Sequence, residues 1–305
     1  MRTYRLGSPT VSPSPRYHPS METRRLGRTE HLSSVAILGG AAFWDSDEAT
    51  TSSLVADAMA AGVNHIDVAP QYGRAEVLLG PAIEANRTAL FVAGKTLRHH
   101  ADGVRAQLDE TLAKLRVDQL DLYQLHAVTD LEELDRRRDA AEVLLEARDQ
   151  GLCRFIGITG HNVTTPRAQL EALRRYDLDT VMVPIYPTLL ADLEYRHDLE
   201  ALLEVTAERD VGVMAIKAGA RRPWGGTART ASTWYEPHHE RTDLAQGIRF
   251  ALSTPGVTGF CTPGDVAIAR VAIEIAAGDM AMDEAQRAAL VAASAREPVI
   301  FPIPS

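Results

Sequence analysis

Eight short apolar runs punctuate the chain, at residues 34–39, 64–66, 89–93, 120–125, 154–158, 180–184, 211–216 and 257–261. Between them the apolar residues recur every three or four positions, the period of an amphipathic helix. Strands alternating with helices predict parallel β-α-β units, and eight such units predict an α/β fold closed into a (β/α)8 TIM barrel with the helices outside. Residues 21–305 are expected to form this barrel as one domain, with a hairpin-like segment ahead of the first run. Punctuation agrees in two places: Ala61-Gly62 reads as the C-terminal end of the first helix, and Thr165-Pro166 as an N-cap followed by proline at the first helical position. Pro81 falls inside the second helical stretch and predicts a break there, with Gly80-Pro81 restarting the helix. The mixed-charge run 130–150 reads as a solvated helix face. The longest irregular stretch, 217–242, follows the seventh run.

The ends of three successive runs carry chemistry. Asp67 and Tyr72 follow the second run, Lys95 the third and His126 the fourth. Side chains at the C-terminal ends of barrel strands converge on one mouth, where residues distant in sequence share a pocket. Taken singly, an aspartate after a strand is commonly a turn residue and a tyrosine a packing residue. Taken together they make an acid catalyst with its tuning groups. A phenol with an ordinary pKa of about 10 is a weak donor at neutral pH, and a neighbouring ammonium stabilises its anion. Lys95 is placed to do this for Tyr72, Asp67 to keep Lys95 charged, and His126 to orient a carbonyl oxygen.

The chain resembles the aldo-keto reductases. The resemblance covers roughly residues 21 to 276 and rests on Gly62-Val-Asn-His-Ile-Asp67-Val-Ala-Pro-Gln-Tyr72-Gly73 with Glu76 and Leu79-Gly80, on Gly94-Lys95, on Asp121-Leu-Tyr-Gln-Leu-His126, and on Gly151-Leu-Cys-Arg-Phe-Ile-Gly157. It implies reduction of aldehydes or ketones with a nicotinamide cofactor, with Tyr72 as proton donor, Lys95 and Asp67 tuning it, and His126 orienting the carbonyl. It also implies a cofactor site, from which this chain departs repeatedly. Thr159 and Gly160 stand where the family has Ser-Asn, Val183 where it has glutamine, and Ile216 at the ring-stacking position, with Lys217 beside it. Asn162 is a second candidate for the carboxamide. Pro263-Gly264 is retained, but Asp265 follows where a phosphate-binding arginine is usual, which leaves NADH or NADPH open; Arg270, Arg221 and Arg222 are candidate replacements. No Gly-x-Gly-x-x-Gly follows the first run, so a Rossmann site is not supported.

Substrate groups are expected from the loops over the mouth: Phe43 and Trp44, His99, and Trp224, Trp234 and Tyr235 in the long stretch. His99 and His100 with His126 and His161 invite a metal reading, but neighbouring cationic groups oppose it and the resembled family needs no metal, so none is expected.

Composition narrows the picture. Hydrophobic residues are 45% and charged residues 24%, the balance of a soluble globular protein, and a net charge of −9 argues against a nucleic-acid surface. Cys153 and Cys261 lie in apolar runs, the pattern of buried free thiols. Residues 1–20, rich in proline, serine and threonine, lack the apolar core of a secretory signal and read as a disordered tail; Met21 is a candidate alternative start. No stretch approaches the ~20 apolar residues of a membrane span. A cytoplasmic oxidoreductase acting on a small carbonyl or alcohol is the expectation. The alternatives are acid-base chemistry without net redox change (an epimerase, eliminase or dehydratase) and a non-catalytic cofactor-binding regulatory subunit.

Overall fold

The computed structural model describes residues 21–226 and 228–301, so the N-terminal tail lies outside the described residues. A hairpin, β1 (Thr23–Arg25) with β2 (Leu32–Ser34), precedes β3 (Ala36–Gly39), α1 (Glu48–Ala60), β4 (His65–Asp67), α2 (Ala75–Ala85), β5 (Phe91–Thr96), α3 (Ala101–Leu115) and β6 (Leu120–Leu125). There follow α4 (Leu131–Arg136), α5 (Arg138–Asp149), β7 (Cys153–Thr159), α6 (Thr165–Arg175), β8 (Thr180–Pro184), α7 (Pro187–Leu190), α8 (Leu193–Glu208) and β9 (Gly212–Ile216). A small antiparallel pair, β10 (Ala220–Arg222) with β11 (Glu236–Pro237), interrupts the loop before α9 (Arg241–Leu252), β12 (Val257–Cys261), α10 (Val266–Ala276) and α11 (Glu284–Ser294). The eight parallel strands close in the order β12-β3-β4-β5-β6-β7-β8-β9, a TIM barrel.

The strands are largely apolar because nearly all their positions are buried on both faces. Leu26, Ile37, Phe91, Ala93, Leu122, Met182, Met214 and Ile216 fill the inside of the barrel, whereas Val92, Tyr123, Val181, Val183 and Val213 pack outward against the helices. Leu26 comes from the hairpin and plugs the bottom. Gly27 beside it, at φ +48°, runs so close to the end of α8 and the start of β9 that a Cβ would lie 2.3 Å from the Gly212 nitrogen. Leu26→Ala would leave a hole in a fully buried layer, and we expect a loss of about 2–5 kcal/mol, read from urea unfolding.

Helix ends follow local chemistry. Asp47 accepts from the Thr50 amide at 2.7 Å to start α1, and Gly62, at φ +95°, closes it. Two local expectations are corrected. Pro81 does not break α2: the bond it cannot make is to the carbonyl of Val77, which sits on the helix's exposed face. Thr165 is the first residue of α6 and Thr164 its N-cap, so Pro166 stands at the second helical position; the cap polarity comes from Asn162, whose Oδ1 accepts from the Thr164 amide at 3.2 Å.

The 130–150 run is also not merely a solvated face. Glu133 and Arg137 are buried, joined at 2.5 Å, and the Arg137 guanidinium donates to the carbonyls of Arg98 at 3.1 Å and His126 at 3.3 Å. One turn of a charged helix thus ties down the C-terminal ends of β5 and β6.

Candidate active site

Asp67 is the last residue of β4, Lys95 the penultimate residue of β5, and His126 the residue after β6; Tyr72 is on the turn between β4 and α2. All four are buried at the C-terminal mouth. Lys95 Nζ is in direct contact with Asp67 Oδ2 and donates to the Val68 carbonyl at 3.3 Å, while Asp67 Oδ1 accepts from Gln124 Nε2 at 3.0 Å. The ammonium lies 5.3 Å from the centre of the Tyr72 ring. His126 meets that ring edge-on, centroids 5.9 Å apart.

Burial alone works against a charged Lys95, but the Asp67 carboxylate outweighs it and holds the amine above the ordinary lysine range. Tyr72 is pulled both ways. Burial pushes the phenol up to about 12 although Lys95 opposes it, so the ammonium limits the rise and does not bring the phenol below 10 as the bare sequence suggested. Burial, then the charge of Lys95, keeps His126 far below the usual imidazole range and neutral.

His126 is held from both sides, by the Gln71 amide and by His161, whose Nε2 is 3.2 Å from its own Nε2. Two imidazole nitrogens hydrogen-bond only when one carries hydrogen and the other does not, so the pair has a donor and an acceptor. His161 Nδ1 is buried without a partner.

The cavity between these groups is lined by Tyr72, Lys95, His161, Ile216, Lys217 and Trp234 among others, and its free volume is about 60 Å³. Trp234 lines it and Trp44 stands edge to face with Trp234 at 6.0 Å, both rings partly exposed. Larger hollows of about 670 and 620 Å³ lie at the opposite end of the strands and between α1 and α10, away from the buried tetrad.

The other expected site residues divide. Ile216, Lys217, Gly264, Trp234 and Tyr235 line the mouth, and Trp44 adjoins it. Thr159 is buried beneath, its Oγ1 accepting from the Ala127 amide at 3.1 Å. Gly160 follows, where a Cβ would lie 2.4 Å from the Thr165 methyl, so the asparagine of the family pattern has no room here. Pro263 is buried beside Gly219. On β8 it is Met182 that faces the mouth, while Val183 points toward the helices.

Eight of the expected residues are redirected. Phe43 is fully buried core. Trp224 is buried and donates to the Thr233 carbonyl at 2.7 Å, bracing the loop. His99 meets Glu133 at 3.0 Å. Asn162 spends its carbonyl oxygen on Thr164 and Thr165 at the start of α6. Asp265 caps α10 through the Ala267 and Ile268 amides and accepts from Ser232 at 3.1 Å. Arg270 is paired with Asp57 across the α1–α10 hollow, and Arg221 and Arg222 with Glu236 at 2.9 and 2.8 Å.

Gln124 and Arg137 surround the tetrad without having been singled out as site residues, as does Cys261, which lines the cavity as a free thiol, and His161, weighed from sequence only as a metal ligand, lies against His126. Gln124 had a signal: a polar amide on the inward phase of an apolar strand, two residues before His126. Among the described residues no group of three or more potential ligands could hold a metal ion.

The sequence model described as "Aldo/keto reductase family" matches residues 36–304. The chain belongs to the aldo/keto reductase family. It is 31% identical over 140 residues to aldo-keto reductase YhdN of Bacillus subtilis, a stretch covering 41% of each chain. It is 44% identical over 75 residues to the NAD/NADP-dependent indole-3-acetaldehyde reductase of Schizosaccharomyces pombe, covering 24% of this chain and 26% of that one. The aligned stretches thus span less than half the length of these curated relatives. The holo form of aldo-keto reductase AKR11C1 from Bacillus halodurans superposes with a TM-score of 0.69 at 17% identity, over 92% of this chain and 98% of that one, a likeness of fold.

Proposed function

We propose that this aldo/keto reductase family member reduces a carbonyl compound, or oxidises the corresponding alcohol, with Tyr72 as the proton donor. One observation carries the reading: a buried Lys95–Asp67 ion pair against the Tyr72 ring, with neutral His126 on that ring's edge. A structural tyrosine needs no buried ammonium beside it, and burying that charge is costly unless the site uses it.

The mouth suits the nicotinamide end of a cofactor. Ile216 supplies an apolar wall, Gly39 and Gly264 present no side chains, and the unpartnered His161 Nδ1 is a polar group for a carboxamide. A reduced nicotinamide bound there would supply hydride to the carbonyl carbon. Tyr72 then gives its proton to the carbonyl oxygen, Lys95 stabilises the phenolate left behind, and Asp67 with Gln124 keeps Lys95 aimed. With the Gln71 amide on its Nδ1, neutral His126 carries its hydrogen on Nε2 and would turn it from His161 to the same oxygen, orienting it without competing as the acid.

Support for NADPH over NADH is missing: Arg270 is on Asp57, Arg221 and Arg222 are on Glu236, and Asp265 holds the N-terminus of α10. We expect NADH to bind at least as tightly as NADPH. Titration of both, followed by tryptophan quenching at one ionic strength, tests the preference, and cofactor absorbance during incubation with small aldehydes tests the reaction. Strongly preferred NADPH would reveal a phosphate clamp elsewhere; no cofactor consumption with any aldehyde or ketone, nor formation from alcohols, would overturn the reductase reading. Replacing Asp265 by arginine is a poorer test of preference, since it also removes a helix cap worth about 1 kcal/mol.

A further inference from the structure

The mouth holds a second amine that the proton-transfer chemistry does not use. Side chains alternate along a strand, so with Ile216 facing the mouth, the next residue should face the helices. Lys217 does not. Its backbone turns to φ +70°, a left-handed conformation rare outside glycine, and it lines the cavity together with Ile216. Backbone held this way at a strand end is a feature of functional sites. The turn that follows, with the Ala220 amide bonded to the Lys217 carbonyl at 2.9 Å, fixes the geometry.

The amine is enclosed by aromatic rings, with its Nζ 4.6 Å from the centre of Phe301, 5.2 Å from Tyr235 and 6.0 Å from Trp234. Among the described residues no carboxylate forms an ion pair with it. Trp234 links it to the reacting end, its ring centre being 5.9 Å from that of Tyr72. Lys95 has Asp67; among the described residues Lys217 meets ring faces, which attract a cation but do not neutralise it. Resting on the reductase reading above, we infer that Lys217 is the binding site for a carboxylate on the substrate, making the preferred substrates carbonyl compounds that carry an acidic group. A diphosphate is separated from a nicotinamide by a ribose and belongs farther out, whereas Lys217 lies close enough to the reactive floor for its charge to lower the basicity of both His161 and His126.

The consequence has a pH signature. Burial brings the Lys217 amine down to about 7, so the vacant site is charged below that pH and increasingly neutral above it. An anion binds the charged form, so affinity is full below 7 and falls toward tenfold per unit above it until the bound amine itself titrates. The titrating groups facing it lie outside that window: Cys261 and Tyr235 are pushed up by burial, His161 and His126 are held far below it, and Tyr72 is raised to about 12.

The test uses benzoate and its neutral isostere benzamide as probes of the whole protein, with and without saturating NAD⁺, by tryptophan fluorescence. Benzoate should bind at least tenfold tighter at pH 6, in either state, and lose that advantage by pH 9. Lys217→Met should abolish the preference and its pH dependence while leaving benzamide unchanged; Lys217→Arg should keep the preference without the decline. In turnover, 4-carboxybenzaldehyde should exceed benzaldehyde in kcat/KM, and Lys217→Met should level the two. Equal binding of the two probes in both states, or a preference that survives Lys217→Met, would overturn the inference. So would weakened NADH and NADPH binding by Lys217→Met with the benzoate preference intact, which would assign the amine to the cofactor. The probe arm needs no turnover, so an inactive protein that still selects benzoate would sink the reductase reading alone.

Discussion

Tyr72→Phe should lower turnover by a factor on the order of 10² to 10⁴, the usual contribution of a positioned proton donor, while cofactor affinity changes by less than about twofold. The expectation follows from what the substitution keeps. The ring remains, and with it the packing on Trp234 and Trp44 at 5.9 and 6.5 Å and the edge contact to His126, so the roof and floor of the mouth stay as they are. Only the hydroxyl is lost. Because burial holds the phenol up to about 12, Tyr72 is protonated throughout the neutral range, and wild-type carbonyl reduction should show no fall between pH 6 and 9 that belongs to this group. Single-turnover rates at saturating cofactor give the measurement. A variant as fast as the wild type when chemistry limits the rate would remove Tyr72 from the role of acid.

Asp67, Lys95 and His126 were legible because each sits at a strand end, where a short apolar run stops, and Tyr72 follows on the turn after β4. The runs predicted over 120–125, 180–184 and 257–261 coincide with β6, β8 and β12, so the barrel and the convergence of Asp67, Lys95 and His126 could be foreseen from the pattern alone. What surrounds the tetrad could not. Arg137 and the surface arginine Arg136 are adjacent in one charged run, and only the docking of α4 and α5 over the ends of β5 and β6 buries one of them. Arg270 looked available because sequence does not reveal that α1 presents Asp57 opposite it. Phe43 and Trp224 show the same ambiguity from the apolar side: an aromatic residue near a mouth either lines it or braces what lines it. Lys217 escapes a periodicity argument altogether, since its direction depends on one positive φ that breaks the alternation.

Lys95→Met should act on rate and on stability through different partners, and the two effects can be separated. Removing the ammonium takes away the charge that restrains the Tyr72 pKa and stabilises the phenolate. Alcohol oxidation needs that phenolate, so below its pKa the rate should climb about tenfold per pH unit, and the variant should run parallel to the wild type but lower by at least about tenfold, the equivalent of one pKa unit. Coincident profiles would show that Lys95 is not coupled to Tyr72. The same substitution leaves Asp67 buried with the Gln124 amide and the Cys261 thiol as side-chain donors, without a cation. Breaking one side of a buried pair costs about 3–5 kcal/mol, which should appear in urea unfolding. Adding Asp67→Asn removes the stranded charge, so the double variant should regain most of that stability while the phenolate remains unsupported and the rate stays low. Recovery of activity together with stability would mean that the ion pair serves only to hold the mouth in shape, and that the tuning of Tyr72 lies elsewhere.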